Sequence, residues 1–241
     1  MQSAFINWSS GKDACYALWQ LQQSRQYDIG CLFTVLNATH QRISMHGVRA
    51  ALLDRQAEQI GIPLKKAWLE EHAGMEAYDE LMQCHLAELS AQGMQHAVFG
   101  DIFLEDLKRY RETQLAKIGM QGIFPLWQQN TTELVKRFVA DGFKAIIVCV
   151  NAKHLDASFA GRVIDETFLR DLPPGVDPCG ENGEFHSFVF DGPLFRQPVP
   201  FQLGETVERT YTPAPKDDNC YQEEETLNWD TRFFFKDLIE L

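Results

Sequence analysis

Along the first part of the chain, short apolar runs alternate with amphipathic stretches of helical period. The runs at 3–8 (SAFINW), 29–37 (IGCLFTVLN), 64–70 (LKKAWLE) and 96–102 (HAVFGDI) predict strands. After Gly11, Ala14, Ala17, Leu18 and Leu21 recur at helical spacing, and 48–63 predicts a helix stopped by Gly61 and Pro63. Further helices are predicted over 75–93, 104–119 and 131–142, the last followed by a strand at 143–151. This alternation implies crossover connections and a mostly parallel sheet, an α/β protein. Ligands on such sheets gather at the carboxyl ends of the strands. Three polar clusters fall there by sequence: Ser9 to Asp13, Ser44 to His46, and Gly100 with Asp101.

The texture changes near Leu172, where 172–195 becomes rich in turns and the remainder β-like and broken by proline. A boundary near residue 123 divides the chain into an expected nucleotide-binding domain (1–123) and a smaller α+β domain (124–241). The acidic run at 216–225 reads as a solvated loop.

At 241 residues, 45% of them hydrophobic, the chain can bury a substantial core without staples. Its formal net charge of -12 argues against a broad electrostatic grip on nucleic acid. The six cysteines form no C-x-x-C pair, which argues against a zinc ribbon or an iron–sulfur cluster. Met1 leads directly into a strand-like run, and no apolar stretch approaches the ~20 residues of a membrane span. The expectation is a cytoplasmic protein without a membrane partner, its cysteines mostly buried. The oligomeric state is not set by sequence, and a homodimer stays open.

The stretch NWSSGKDACYAL (7–18) supplies the first candidate chemistry. A strand ends at Trp8 and a helix begins near Lys12, so the unpartnered N–H groups of the first turn face the loop mouth. Ser9 and Ser10 add hydroxyl donors, Gly11 permits close approach, and Lys12 adds a full charge. Together these make an anion site. A plain serine-capped helix start is the simpler reading of the loop alone.

SSGKDA resembles the S-G-G-K-D-S loop of the N-type ATP pyrophosphatases, the PP-loop superfamily. It differs at Ser10, which stands for a glycine, and at Ala14, which stands for the terminal serine. The segments at 98–112, 124–135, 160–165 and 179–195 (CGENGEFHSFVFDGPLF) are, in order, similar to those of the diphthine–ammonia ligase family. That resemblance spans roughly residues 4 to 200, and ENGEFHS looks like a bacterial-type branch. It implies a HUP-like (adenine nucleotide alpha hydrolase-like) domain followed by a substrate domain. It also implies an ATP-dependent carbon–nitrogen ligase that adenylates a carboxylate and transfers ammonia, releasing AMP and pyrophosphate. ATP would be held by Trp8, Ser9, Ser10, Gly11, Lys12, Asp13 and Ala14, with Ser44, His46, Gly100 and Asp101. Mg²⁺ would sit on Asp13 or Asp101. The acceptor, a protein-borne diphthine-like residue or a small metabolite, would meet Asn182, Gly183, His186 and Arg111. The other classes left open are a nucleotide-binding module without ligase activity and a PP-loop enzyme acting on tRNA or a small metabolite.

ENGE (181–184) is the second constellation. Asn182-Gly183 is a strong two-residue hairpin signal. In such a hairpin Glu181 and Glu184 stand ~5 Å apart on one face, which is unfavourable unless a cation, a shared proton or a substrate amine offsets it. Alternation would put His186 on the same face as Glu184. A solvent-exposed turn with two screened carboxylates is the other reading of these residues alone. The family resemblance implies instead that Lys12, Glu181 and Glu184 are catalytic, the two carboxylates binding ammonium or accepting its proton, in the same cleft that serves the loop.

Overall fold

A computed structural model describes residues 1–71, 73–211 and 231–241. The acidic run at 216–225 lies outside the described residues. The first part forms a five-stranded parallel sheet in the order β3-β2-β1-β4-β5. Its strands are β1 (Gln2–Asn7), β2 (Tyr27–Asn37), β3 (Leu64–Leu69), β4 (His96–Val98) and β5 (Gln121–Ile123). Helices α1 (Lys12–Ser24) and α2 (Ala50–Ile60) bury Leu18, Leu21, Leu52 and Leu53 in one core cluster. On the other side, α3 (Met75–Ala91) and α4 (Glu105–Ala116) bury Leu86, Leu89 and Leu115 against Phe5, Phe33 and Phe99. The chain runs outward from β1 to β3 and returns to β4, so the strand order reverses between β1 and β4. A ligand crevice belongs at the carboxyl ends of those two strands.

The second part forms an antiparallel sheet in the order β7-β6-β9-β8, from β6 (Lys144–Asn151), β7 (Phe185–Asp191), β8 (Phe201–Tyr211) and β9 (Thr231–Glu240). Helix α5 (Thr131–Ala140) precedes it, capped by the Asn130 side chain on the Glu133 N–H. The expected boundary near 123 falls between β5 and α5, but the buried core does not stop there. One cluster runs from Ala4 to Leu238, and Tyr16 of α1 meets Phe138 and Phe143 edge-on at 5.9 and 5.8 Å.

The sequence pattern places β1 to β3, α1 to α5 and β6 within a few residues of where they lie. It misses β5, the 3-10 turn Ala157–Phe159 and the short helix α6 (Glu166–Asp171), whose few residues carry no period. Strand β4 is shorter than expected because the chain turns at Gly100 to pass over α1. A Cβ there would lie 2.7 Å from the Asp13 backbone carbon and 2.8 Å from the Ala14 nitrogen. Of the five described cysteines, four are buried and Cys84 is exposed.

The hairpin expected at ENGE does not form. β7 begins only at Phe185 and pairs with β6, not with the residues before Glu181. Residues 180–183 make a tight turn instead, with the Gly183 N–H on the Gly180 carbonyl at 3.1 Å and both glycines at positive φ. Glu181 and Glu184 are therefore not cross-strand neighbours. Glu184 lies outside the strand, so it shares no strand face with His186.

Candidate active site

The loop between β1 and α1 is held from three sides. Gln56 of α2, fully buried, donates from Nε2 to the Ser10 carbonyl (3.1 Å) and the Val189 carbonyl (2.6 Å). Its Oε1 accepts from Trp8 Nε1 at 2.9 Å. The Val189 N–H also reaches the Ser10 carbonyl at 3.0 Å, and the Lys12 N–H donates to the Ser187 hydroxyl at 3.1 Å. Ser10 is pinned at φ 67, in the left-handed region that favours glycine, and its buried hydroxyl has no partner. Backbone strain and an orphaned hydroxyl thus coincide at one residue of the loop.

Over the carboxyl ends of β1 and β4 lies a cleft of about 610 Å³. Ser9, Gly11, Lys12, Asp13 and Ala14 form its floor; Gly100, Asp101 and Arg111 line one side. His46, His186 and the turn residues Glu181, Asn182 and Gly183 line the rest. The loop and the ENGE turn, far apart in sequence, thus share one cleft. Four expected residues do not line it, Trp8, Ser10, Ser44 and Glu184. Trp8 is buried on Gln56, Ser44 is exposed, and Glu184 is 1% exposed beneath the turn. Ser10 contributes backbone beneath the loop rather than lining surface.

Charge in the cleft is arranged in pairs. Lys12 Nζ lies 2.7 Å from Asp13 Oδ1, and Asp101 Oδ2 lies 2.9 Å from Arg111 Nε. Burial works against the Lys12 ammonium, but Asp13, Cys179 and Glu181 outweigh it and hold the pKa above its ordinary range. Burial raises Asp101, against the pull of Arg111. Arg111 also stacks over Phe99, 4.3 Å from the ring centre. Asp101 is not a helix cap, since α4 starts at Glu105 with Leu104 before it.

The two glutamates have separate duties. Glu181 Oε1 accepts from the Ile102 N–H at 2.7 Å, bridging the turn to the chain after β4. Burial and the charge of Asp13 raise its carboxyl to about 7, despite the Ile102 N–H and Lys12. Glu184 accepts from Asp177 N (3.0 Å), Asn182 N (2.9 Å) and Asn182 Nδ2 (3.2 Å), so it holds the turn in shape.

His46 and His186 stack with ring centres 4.4 Å apart at 26°. Cys179 also lines the cleft, its thiol pushed up to about 12 chiefly by burial. Sequence reasoning missed Gln56, Cys179 and Ser187. Gln56 had a signal, a polar residue in the apolar stripe of Leu52, Leu53 and Ala57; the Ser187 contact crosses 175 residues and had none.

A family model for the diphthamide synthase N-terminal domain matches residues 1–122, and one for the diphthamide synthase C-terminal domain matches 130–212. The chain belongs to the diphthamide synthase family. A diphthine–ammonia ligase of Danio rerio is 28% identical over 227 residues, 83% of this chain and 86% of that protein. Those of Bos taurus and Homo sapiens are 27% and 25% identical, each covering 83% of this chain and 82% of its own length. As a diphthamide synthase family member, the chain carries its cleft where the N-terminal match supplies the loop and the C-terminal match supplies Glu181 and His186. Among the described residues no helix is long and apolar enough to cross a membrane.

Proposed function

We propose that the chain is an ATP-dependent amide-forming ligase of the N-type pyrophosphatase kind, acting on a carboxylate with ammonia as the nitrogen source. The observation that carries the reading is the shared cleft: an anion-binding helix start and an acidic turn face one another across it. The names of the relatives, diphthine–ammonia ligases, support the same reaction class and suggest a diphthine-like acceptor.

The loop fits a phosphate chain. A side chain at Gly11 would meet His46 Cε1 and the Ser187 carbonyl, each at 3.2 Å, so only glycine leaves the backbone approachable. Gly11, Lys12, Asp13 and Ala14 line the cleft at the start of α1, where the positive end of the helix and the Lys12 ammonium would neutralise phosphate charge. When bound, ATP supplies the adenylyl group that activates a carboxylate, with pyrophosphate as leaving group and AMP displaced by ammonia. A second cavity of about 120 Å³ between α3 and α4, walled by Phe5, Tyr78, Phe99 and Tyr110, shares Asn7, Phe99 and Arg111 with the cleft and suits the adenine ring. Asp13 and Asp101 would hold Mg²⁺, which ordinarily takes one or two carboxylates beside phosphate oxygens. Glu181, held near neutrality, would bind ammonium or take its proton. Glu184 would position the turn.

Incubation with ATP, ¹⁵N-ammonium and candidate acids tests this reading. ATP-dependent ¹⁵N in an amide supports it; nucleotide binding without any transfer across the acids would leave only a binding module.

A further inference from the structure

We propose that His46 and His186 are the proton-carrying part of the anion site: one imidazole of the stacked pair takes up a proton when a pyrophosphate-bearing ligand binds at the Ser9–Asp13 loop. This rests on the reading of that loop as a phosphate site.

The geometry is specific. His46 comes from the loop between β2 and α2, and His186 from the start of β7, so the pair closes the cleft wall between the two sheets. His46 packs directly on the loop, its Cε1 3.2 Å from where a Gly11 Cβ would stand and its Nδ1 3.4 Å from the Ser187 carbonyl. Both rings line the cleft that holds Lys12.

Their surroundings fix the charge state before an anion arrives. Among the described residues, Lys12 bears on both rings and His186 on His46, with the Ser187 carbonyl as the remaining polar influence on His46. Among the described residues, no carboxylate shifts either ring. Burial, then Lys12, lowers His186 to about 4; burial, His186 and Lys12 hold His46 well below its ordinary range. Two imidazoles are therefore neutral beside a cation. A phosphate chain laid on the loop reverses the sign of the local field and favours the charged form of whichever ring it approaches. One proton is expected rather than two. An imidazolium stacked on a neutral ring is a favourable cation–π pair, whereas two imidazolium rings in contact repel. The pair thus matches its charge to the anion in the cleft: one N–H bond forms with a proton taken from solvent, and no other bond changes.

The test uses the intact chain, ¹³C-labelled at histidine, with inorganic pyrophosphate as the probe. Titration from about pH 4 to about pH 8 follows the ring resonances with and without saturating pyrophosphate. Ring-to-ring nuclear Overhauser contacts assign the pair in the wild type, so no variant has to fold. The expected result is a midpoint raised by about 1 unit or more for one ring of the pair when pyrophosphate is bound. Calorimetry of the wild type in buffers of different ionisation enthalpy should show proton uptake on pyrophosphate binding below about pH 7. Bound pyrophosphate with both midpoints unchanged would overturn the proposal and leave the loop reading intact. No pyrophosphate binding at all would overturn both.

Discussion

The backbone N–H of Lys12 donates to the hydroxyl of Ser187 at 3.1 Å across 175 residues of sequence. Through it a strand of the antiparallel sheet caps the helix that rises from the parallel sheet. The loop before α1 is therefore shaped jointly by both parts of the chain. Ser187→Ala should leave a buried N–H unsatisfied and cost about 1–2 kcal/mol of stability. Urea denaturation measures it; an unchanged midpoint would mean the contact is incidental.

Ser10 sits at positive φ with a buried, partnerless hydroxyl. Both features cost stability, of order 1 kcal/mol or more each. Ser10→Gly should raise the unfolding free energy by about 1 kcal/mol, visible as a higher melting temperature. A lower melting temperature would show that the hydroxyl stabilises the fold.

Lys12→Ala should weaken ATP binding by about 1.5–3 kcal/mol, the range for charge-assisted hydrogen bonds. Titration calorimetry on the two proteins gives the difference directly, and equal affinities would remove Lys12 from the phosphate site.

The two glutamates should separate in experiment. Glu181, raised to about 7 by burial and Asp13, favours its neutral form in the fold. Its contribution to stability is present at low pH and lost as pH rises through about 7. If the carboxylate holds ammonium, turnover rises through the same range, and Glu181→Gln flattens that rise while sparing ATP binding. Glu184→Gln should instead loosen the turn built on Asp177 and Asn182, costing about 1–3 kcal/mol. A Glu184→Gln protein of full stability with no turnover would return Glu184 to the chemistry.

Much of this was legible in the sequence because local signals and tertiary structure agree. The alternation of apolar runs and helical periods fixes the parallel sheet, and its strand ends bring Lys12, Gly100 and Asp101 together. The ENGE turn misled for a local reason. Asn182-Gly183 does turn, and Gly183 does take positive φ, but the residue before Asn182 is drawn away to the Ile102 N–H rather than into a strand. Hairpin chemistry describes the dipeptide, not what competes for its neighbours. Arg111, expected from the family resemblance to meet the acceptor, lines the cleft but pairs with Asp101 over Phe99, a contact no helical period reveals.

The central claim is that the loop at the start of α1 positions ATP for cleavage between its α- and β-phosphates. Chromatography of the nucleotide products formed with ammonium and an active acceptor tests this most directly. The account predicts AMP and pyrophosphate in equal amounts; ADP and inorganic phosphate would contradict it.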